Sequence, residues 1–312
     1  MAATARTLSV VGAPTSAGAY GPGQERAPSA FRRHGLLTSL ASRGLDVVDR
    51  GDGCLAPWRT DETNPTARNA DTVAAVAVEL ADSVAAALEA DHDVLVLGGD
   101  CTIELGVVAG AIRDGASVGL AYVDLDTDLN TPETGDGVLD WMGVAHLLDV
   151  PGVHDGLAAI GPRRPLLDPA AVRFFAAENI TAAERAVVDR LELHVEPLAA
   201  VVEEPDAVAH RTRAWAAAYD RILVHVDIDV LDYTKFPIAE EVRDTPGLEL
   251  SQLTRLLQDL WALPNRRTLT LSEINPDHAP DERASFDRLV TMVGDVLGRP
   301  ANPNDRPERL DA

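Results

Sequence analysis

The spacing of hydrophobic and polar residues predicts a chain in which strands and helices alternate. Short, mostly apolar runs are typical of strands buried on both faces of a sheet. We assign these runs to Leu8–Val11, Leu45–Val48, Val94–Leu97, Val118–Val123, Ala158–Ile160, Ile222–Val226 and Thr268–Leu271. Longer segments with helical periodicity or an alanine-rich composition predict helices. These helices cover Ala27–Arg43, Asp71–Ala90, Thr102–Arg113, Trp141–Leu148, Pro169–Glu178, Ala182–Arg190, Pro205–Tyr219, Ser251–Ala262 and Phe286–Leu297.

The alternation continues without a linker-like break in composition. It therefore predicts a single α/β domain over residues 1–299 that is built on a parallel sheet. Residues 300–312 are polar and are expected to form a C-terminal tail. Ligands of parallel α/β sheets gather at the carboxyl ends of the strands. The residues that follow each strand are therefore the first candidates for chemistry.

Three aspartates stand at alternate positions after the strand Val118–Val123, namely Asp124, Asp126 and Asp128. Residues two apart in extended chain point to the same side, so the three carboxylates would converge. Crowded carboxylates raise one another's pKa unless a cation lies between them, and no basic residue is nearby in the sequence. A bound metal ion explains the pattern, and a solvated strand end is the alternative.

Other predicted strands end in further metal-binding residue types, which are Cys101, Asp227, Asp229 and Glu273. One thiol and five aspartates are enough donors for two divalent ions. Oxygen donors suit manganese or magnesium, whereas a thiolate favours zinc or iron. Such ions activate water for nucleophilic attack, so the pattern predicts metal-assisted hydrolysis. Cys101 alone would more often be a buried apolar residue, and His225, inside a strand, is interpreted as a core residue.

Composition excludes several classes of function. The net charge of −23, with Lys235 as the only lysine, argues against nucleic-acid binding. The mean hydropathy of −0.03 and the lack of a long apolar run argue against a membrane protein. Two cysteines imply no disulfide framework, and the N-terminal residues do not resemble a signal peptide. We therefore expect a cytoplasmic protein.

Four blocks of the sequence resemble motifs of the ureohydrolases, the family of arginase and agmatinase. Gly98–Thr102 is similar to the family's GGDHS, and Asp124–Pro132 to DAHxDxNTP, whose NTP is nearer to arginase than to agmatinase. Asp227–Asp232 resembles DxDxxD, and Glu273–Pro276 resembles ExNP. The segment Val10–Pro14 with its glycine-rich loop also looks like the family's N-terminal strand. The resemblance implies a three-layer, doubly wound, mainly parallel sheet with helices on both faces.

The resemblance also implies roles for individual residues. Asp124 and Asp227 would bridge two metal ions, usually Mn²⁺ in this family, with Asp128 and Asp229 completing their coordination. Glu273 would accept the guanidinium group of a small-molecule guanidino or amidino substrate. Attack on the guanidinium carbon would release urea and an amine. Members commonly assemble as trimers or hexamers, so a homo-oligomer is expected.

Three positions depart from the family pattern. Cys101 and Asp126 stand where the family has histidine ligands, and Asp140 stands near the position of the proton-shuttling histidine of arginases. All three side chains can still bind metal or move protons. Replacing neutral ligands by anionic ones nevertheless leaves an excess of negative charge, so one ion rather than two is a natural outcome. Other divalent metals are also compatible with this set.

Substrate residues are assigned from the same comparison and from position. Asn130 belongs to the arginase-like NTP segment, and His278 lies close to Glu273 in sequence. Arg164 falls where arginases carry an acidic residue for the α-amino group of arginine. It would attract a carboxylate, so we expect a substrate with a different, acidic tail rather than plain arginine.

Two classes of function follow from these residues. The first is a metal-dependent hydrolase of a guanidino or amidino C–N bond, with Asp126, Asp140 and Glu273 as the catalytic residues. The second is a pseudoenzyme that keeps the fold and binds one metal ion or none. The survival of the aspartates and of Glu273 favours the hydrolase.

Overall fold

The computed structural model describes residues 6–298, and its strands form one sheet. Every neighbouring pair of strands is parallel, and the order across the sheet is β2-β1-β3-β8-β7-β4-β5-β6. The strands are β1 (Leu8–Gly12), β2 (Val47–Asp52), β3 (Asp93–Leu97), β4 (Val118–Val123), β5 (Val172–Phe175), β6 (His194–Glu196), β7 (Arg221–Asp227) and β8 (Arg266–Ser272). The four strands that precede the candidate site residues are β3, β8, β7 and β4, and they are adjacent at the centre of the sheet.

Helices cover both faces of this sheet, as expected. They are α1 (Ala27–Arg33), α2 (Leu36–Ser42), α3 (Ala70–Glu89), α4 (Glu104–Ala111), α5 (Gly143–Leu147), α6 (Asp155–Ala158), α7 (Ala182–Leu191), α8 (Leu198–Glu203), α9 (Pro205–Ala216), α10 (Leu250–Trp261) and α11 (Glu282–Leu297). One apolar cluster packs α1, α2 and α8–α11 against the sheet, and a second packs α3–α7 against the other face. Alternation along β7 sends Val224 and Val226 to the first cluster and Leu223 to the second.

Several predicted elements differ from the structure. Residues 158–160 do not form a strand, because Ala158 is the last residue of the short helix α6 and the segment is not part of the sheet. Residues 172–175, predicted as part of a helix, form β5 instead. All four are buried, and the strand pairs with β4 on one side and β6 on the other. A short apolar run does not distinguish a strand from a helix by periodicity, and β6 is too short to be recognised.

The predicted helix over residues 27–43 is two helices, because Gly35 adopts a left-handed backbone conformation (φ 79°) between α1 and α2. The predicted polar tail, residues 300–312, lies outside the described residues. No helix within residues 6–298 is both long and apolar enough to cross a membrane.

The turn after β3 requires glycine for close packing. A Cβ atom added at Gly99 would lie 1.7 Å from the carbonyl oxygen of Thr15. This approach seats the loop after β1 against the end of β3. The next residue, Asp100, is fully buried and accepts hydrogen bonds from the backbone N–H groups of Gly18 (3.0 Å) and Thr102 (3.2 Å). The backbone of Cys101 is thereby fixed at the edge of the sheet.

Candidate metal centre

Three buried carboxylates meet where β4 and β7 end. Oxygen atoms of Asp124, Asp227 and Asp229 lie within 4.8 Å of one another. Asp124 Oδ1 accepts the backbone N–H of Asp126, and Asp227 Oδ1 accepts that of Asp229, each at 2.8 Å. Asp124 Oδ2 and Asp229 Oδ1 are buried without a hydrogen-bond partner among the described residues. Buried, unpartnered carboxylate oxygens are costly, so this group fits a divalent cation.

A second group lies beside the ends of β3 and β8, with Asp140 contributed by a short 3-10 helix. Atoms of Cys101, Asp140 and Glu273 also lie within 4.8 Å of one another. The backbone N–H of Cys101 donates to Asp140 Oδ1 (2.7 Å) and to Glu273 Oε1 (3.0 Å). Gln24 donates to the other oxygen of Glu273 at 3.1 Å. Two carboxylates are therefore held side by side, and they share one donor.

The thiol of Cys101 is enclosed by polar groups. Its sulfur lies 3.1 Å from Asp227 Oδ2, to which it donates, 3.1 Å from Ser272 Oγ and 3.2 Å from His225 Nε2. Burial, followed by the charges of Asp227 and Glu273, raises the pKa of Cys101 well above its ordinary value. In the metal-free protein the thiol is therefore neutral, and it acts as a hydrogen-bond donor.

His225 is a core residue, and it also touches the site. Its side chain is fully buried and stacks on Tyr122 with ring centroids 4.3 Å apart. Its Nδ1 lies 3.0 Å from Glu104 Oε2, while Nε2 faces Cys101. The histidine thus links helix α4 to the thiol. Sequence reasoning missed this contact because the residue lies within a strand.

The two remaining aspartates of the β4 segment have partners of their own. Asp128 accepts a hydrogen bond from the hydroxyl of Tyr122. Asp126 is paired with the guanidinium of Arg243 and accepts a 2.6 Å hydrogen bond from the side-chain amide of Asn179. Asp126 is therefore not part of the three-carboxylate group, although the two lie close together.

Backbone conformation is unusual at two of the site residues. Asp128 (φ 50°) and Glu273 (φ 61°) both adopt left-handed conformations, which non-glycine residues seldom do. Glu273 directly follows the central strand β8, and Asp128 lies shortly after the central strand β4. Such local strain commonly occurs where a side chain must be aimed at a functional site.

Burial dominates the electrostatics of these carboxyl groups. It raises the pKa of Asp124, Asp128, Asp140, Asp227 and Glu273 well above the usual range, with neighbouring carboxylates adding to the effect in each case. Burial and Asp229 raise the pKa of Asp126 to about 7 even though Arg243 opposes the shift. Without a further cation, several of these acids hold protons near neutral pH.

All of these acids except Asp124 line a cleft of about 290 Å³. Asn130, one of the predicted substrate residues, lies on its wall. Tyr20 and Trp141 also line it, and their rings lie 6.4 Å apart. Sequence analysis did not find these two residues, nor Glu184 and Arg243, because each lies outside the recognised motifs.

Two predicted substrate residues lie outside the lining of this cleft. Arg164 is paired with Asp149 (2.7 Å) and Asp155 (2.9 Å), and neither of these acids lines the cleft. His278 is half-buried, and its Nδ1 lies 2.8 Å from the carbonyl oxygen of Ala239. The structure therefore brings Asn130 and Glu273 together with the predicted metal ligands but does not bring Arg164 or His278 to them.

Comparison with known proteins agrees with this geometry. The family model described as "Arginase family" matches residues 6–297. The chain belongs to the arginase family. Arginase from Brevibacillus brevis is 30% identical over 237 residues, which are 73% of this chain and 76% of that protein. Human arginase-1 is 35% identical over 161 residues, so the match spans about half the length of this relative.

Solved structures of the family share the fold. Arginase from Bacillus subtilis superimposes with a TM-score of 0.83 at 25% sequence identity, covering 95% of this chain and 100% of that chain. The arginase-like α/β fold expected from the sequence motifs is therefore confirmed.

Proposed function

We propose that this arginase-family chain is a metal-dependent hydrolase of a C–N bond in a guanidino or amidino compound. The observation that supports this most strongly is the three-carboxylate group with its two unpartnered oxygens. A buried arrangement of this kind is costly to maintain without a cation. It lies at the carboxyl edge of the sheet, at the wall of a cleft large enough for a small molecule.

Asp124, Asp227 and Asp229 would hold the ion, with Mn²⁺ as the first candidate because all three ligands are carboxylates. A divalent ion bound there would lower the pKa of water and supply a hydroxide near neutral pH. Cys101, Asp126 and Asp128 stay predicted ligands. Each is at present engaged by a protein partner, namely Asp227, Arg243 and Tyr122 respectively.

Glu273 and Asp140 would act on the substrate. A planar amidinium group presents N–H donors, and the two adjacent carboxyl groups can accept them in pairs. Burial raises the pKa of Asp140, so it can keep a proton near neutrality and donate it to the departing amine. Tyr20 and Trp141 would cover the bound group and limit access of water.

The substrate class follows from the charge of the cleft. Its lining is rich in carboxylates, which favours a cationic amidino group. Arg164 is paired elsewhere, so it gives no support to the predicted acidic tail. Arginine therefore belongs in the substrate panel beside guanidino acids, guanidino amines and formimidoyl compounds.

The test is turnover by the full chain after chelator treatment and reloading with Mn²⁺. We expect release of urea or a related amide from at least one member of the panel. Glu273→Gln should lower kcat/KM by about 100-fold or more, since it replaces a carboxyl oxygen that can accept the substrate's N–H groups by an amide nitrogen that only donates. Glu89→Gln, at an exposed position of α3, is the matched control and should be neutral.

A pseudoenzyme is the second candidate. It is favoured by the neutral Cys101 thiol and by the pairing of Arg243 with Asp126. Failure of folded, metal-loaded protein to hydrolyse any compound of the panel would favour this candidate over the hydrolase.

A further inference from the structure

Arg243 places a fixed positive charge among the acids of the candidate metal centre. It lies in the loop that follows β7, and its side chain is 20% exposed. The guanidinium pairs with Asp126 and lies 3.6 Å from Asp229 Oδ2. Within residues 6–298, Arg243 is the one arginine or lysine that forms an ion pair with an acid lining the cleft. The contact with Asp229 brings the guanidinium to the edge of the three-carboxylate group.

Asp126 is fully engaged by this arrangement. One of its oxygens pairs with Arg243, and the other accepts the amide of Asn179 at 2.6 Å. Neither oxygen belongs to the three-carboxylate group. Asp126 could therefore coordinate a metal ion only if it released at least one of these partners.

The position of the guanidinium also favours one ion over two. It pairs with Asp126 and lies 3.6 Å from Asp229 Oδ2. A second divalent ion held by Asp126 and Asp229 would lie beside this fixed positive charge and would be repelled by it.

We infer that Arg243 takes the place of a second metal ion, so that the centre binds a single divalent cation at Asp124, Asp227 and Asp229. This rests on the proposed function only in requiring a divalent ion at that group. In this arrangement Asp126 pairs with Arg243 instead of binding a metal ion, and Arg243 limits the centre to one ion. The aspartate at position 126 and the arginine at position 243 therefore act together.

The test is the number of Mn²⁺ ions bound by purified, full-length protein, measured by titration calorimetry and by elemental analysis after gel filtration. We expect one ion in the unaltered chain. Arg243→Met removes the charge but keeps a side chain of similar length, and should bind two ions because Asp126 becomes available and the positive charge beside Asp229 is gone. Arg243→Lys keeps a positive charge and should bind one. Arg283→Met, at an exposed position, is the control and should also bind one.

Electron paramagnetic resonance gives an independent readout. The unaltered chain should show the spectrum of isolated Mn²⁺, and Arg243→Met that of two coupled ions. Asp126→Asn supplies a test that does not depend on the folding of Arg243→Met. If Asp126 pairs with Arg243 and is not a metal ligand, this variant still binds one ion. Loss of that ion would overturn the inference.

The possible results separate this inference from the proposed hydrolysis. Two Mn²⁺ ions in the unaltered chain, or one in folded Arg243→Met, would overturn the role of Arg243 and leave the hydrolase intact. One ion in the unaltered chain and two in Arg243→Met, without turnover of any amidino compound, would support the inference and contradict the hydrolase. No ion in either protein would overturn both.

Discussion

The central strands differ at their two ends in the balance of arginines and buried carboxylates. Arginines are in excess at the amino ends, and carboxylates are in excess at the carboxyl ends. At the amino ends of β3 and β8, the buried Asp93 lies between Arg6 (3.6 Å), Arg266 (3.7 Å) and Arg267 (3.4 Å). At the carboxyl ends, a cluster of buried carboxylates has Arg243 as its cation within the described residues. One end is therefore neutralised by the chain itself, whereas the other is not. The under-compensated end is the one that holds the candidate metal centre.

The largest expected difference between the two ends is in metal binding. Asp227→Asn removes a member of the three-carboxylate group and should weaken Mn²⁺ binding and activity by about 100-fold or more, since even supporting residues cost 10- to 100-fold. The matched change Asp93→Asn, at the other end, should leave Mn²⁺ affinity unaltered. Calorimetric titration of both variants checks this, and equal losses in the two would show that the ends do not differ.

The next effect is on the pH dependence of the metal-free protein. The pKa of Asp126 is raised to about 7 in the folded chain, against about 3.9 when unfolded. Folding therefore favours the protonated acid, and this contribution to stability is complete below about pH 4 and is lost as the pH rises through about 7. Urea unfolding in the presence of a chelator should show the decline.

Two controls sharpen that measurement. Asp126→Asn should vary less in stability over the same pH range, because it has no carboxyl group to titrate. Mn²⁺ should restore stability above pH 7 in the unaltered chain, since it binds the folded state alone. A metal-free protein that became more stable between pH 4 and 7 would contradict the assignment.

A smaller effect is expected at the neutralised end. Asp93→Asn leaves three arginines without their shared carboxylate, but burial raises the pKa of Asp93 despite those arginines, so their pairing is incomplete. We expect a loss of about 1–3 kcal/mol in the free energy of unfolding, measured in urea with Mn²⁺ present. A gain in stability would show that the aspartate is not a net stabilising group.

The smallest effect is expected at Arg164. It pairs with Asp149 and Asp155 outside the cleft, so Arg164→Met should change KM by less than about twofold for any substrate found. A steady-state comparison on one acidic and one neutral substrate checks this. A selective loss with the acidic substrate would restore the role predicted from the sequence.

Much of the fold and the centre of the site follow from local patterns. Cys101, Asp124, Asp227 and Glu273 could be placed together because each lies at or soon after the end of a strand whose apolar run is evident in the sequence. Strand β5 was missed because Val172–Phe175 is short, and its partners β4 and β6 decide its conformation. Tertiary pairing of this kind leaves no local signal.

The rest of the site depends on loops and on packing. Arg243 lies far along the chain from Asp126, in a loop without periodicity, so its contact could not be inferred from spacing. The substrate role of Arg164 stays a prediction. It was inferred from alignment with a family residue, and alignment does not determine which way a side chain points. In the structure this side chain pairs with Asp149 and Asp155.

The two cysteines of the chain differ in accessibility, and this gives the protein an internal reporter. Cys54 is exposed, whereas Cys101 is 1% exposed and its thiol is neutral. A thiol-specific reagent should label Cys54 at once and Cys101 only when the strand ends open. The rate of the second labelling step therefore measures how often the cleft opens locally, and a ligand that closes the cleft would slow that step alone.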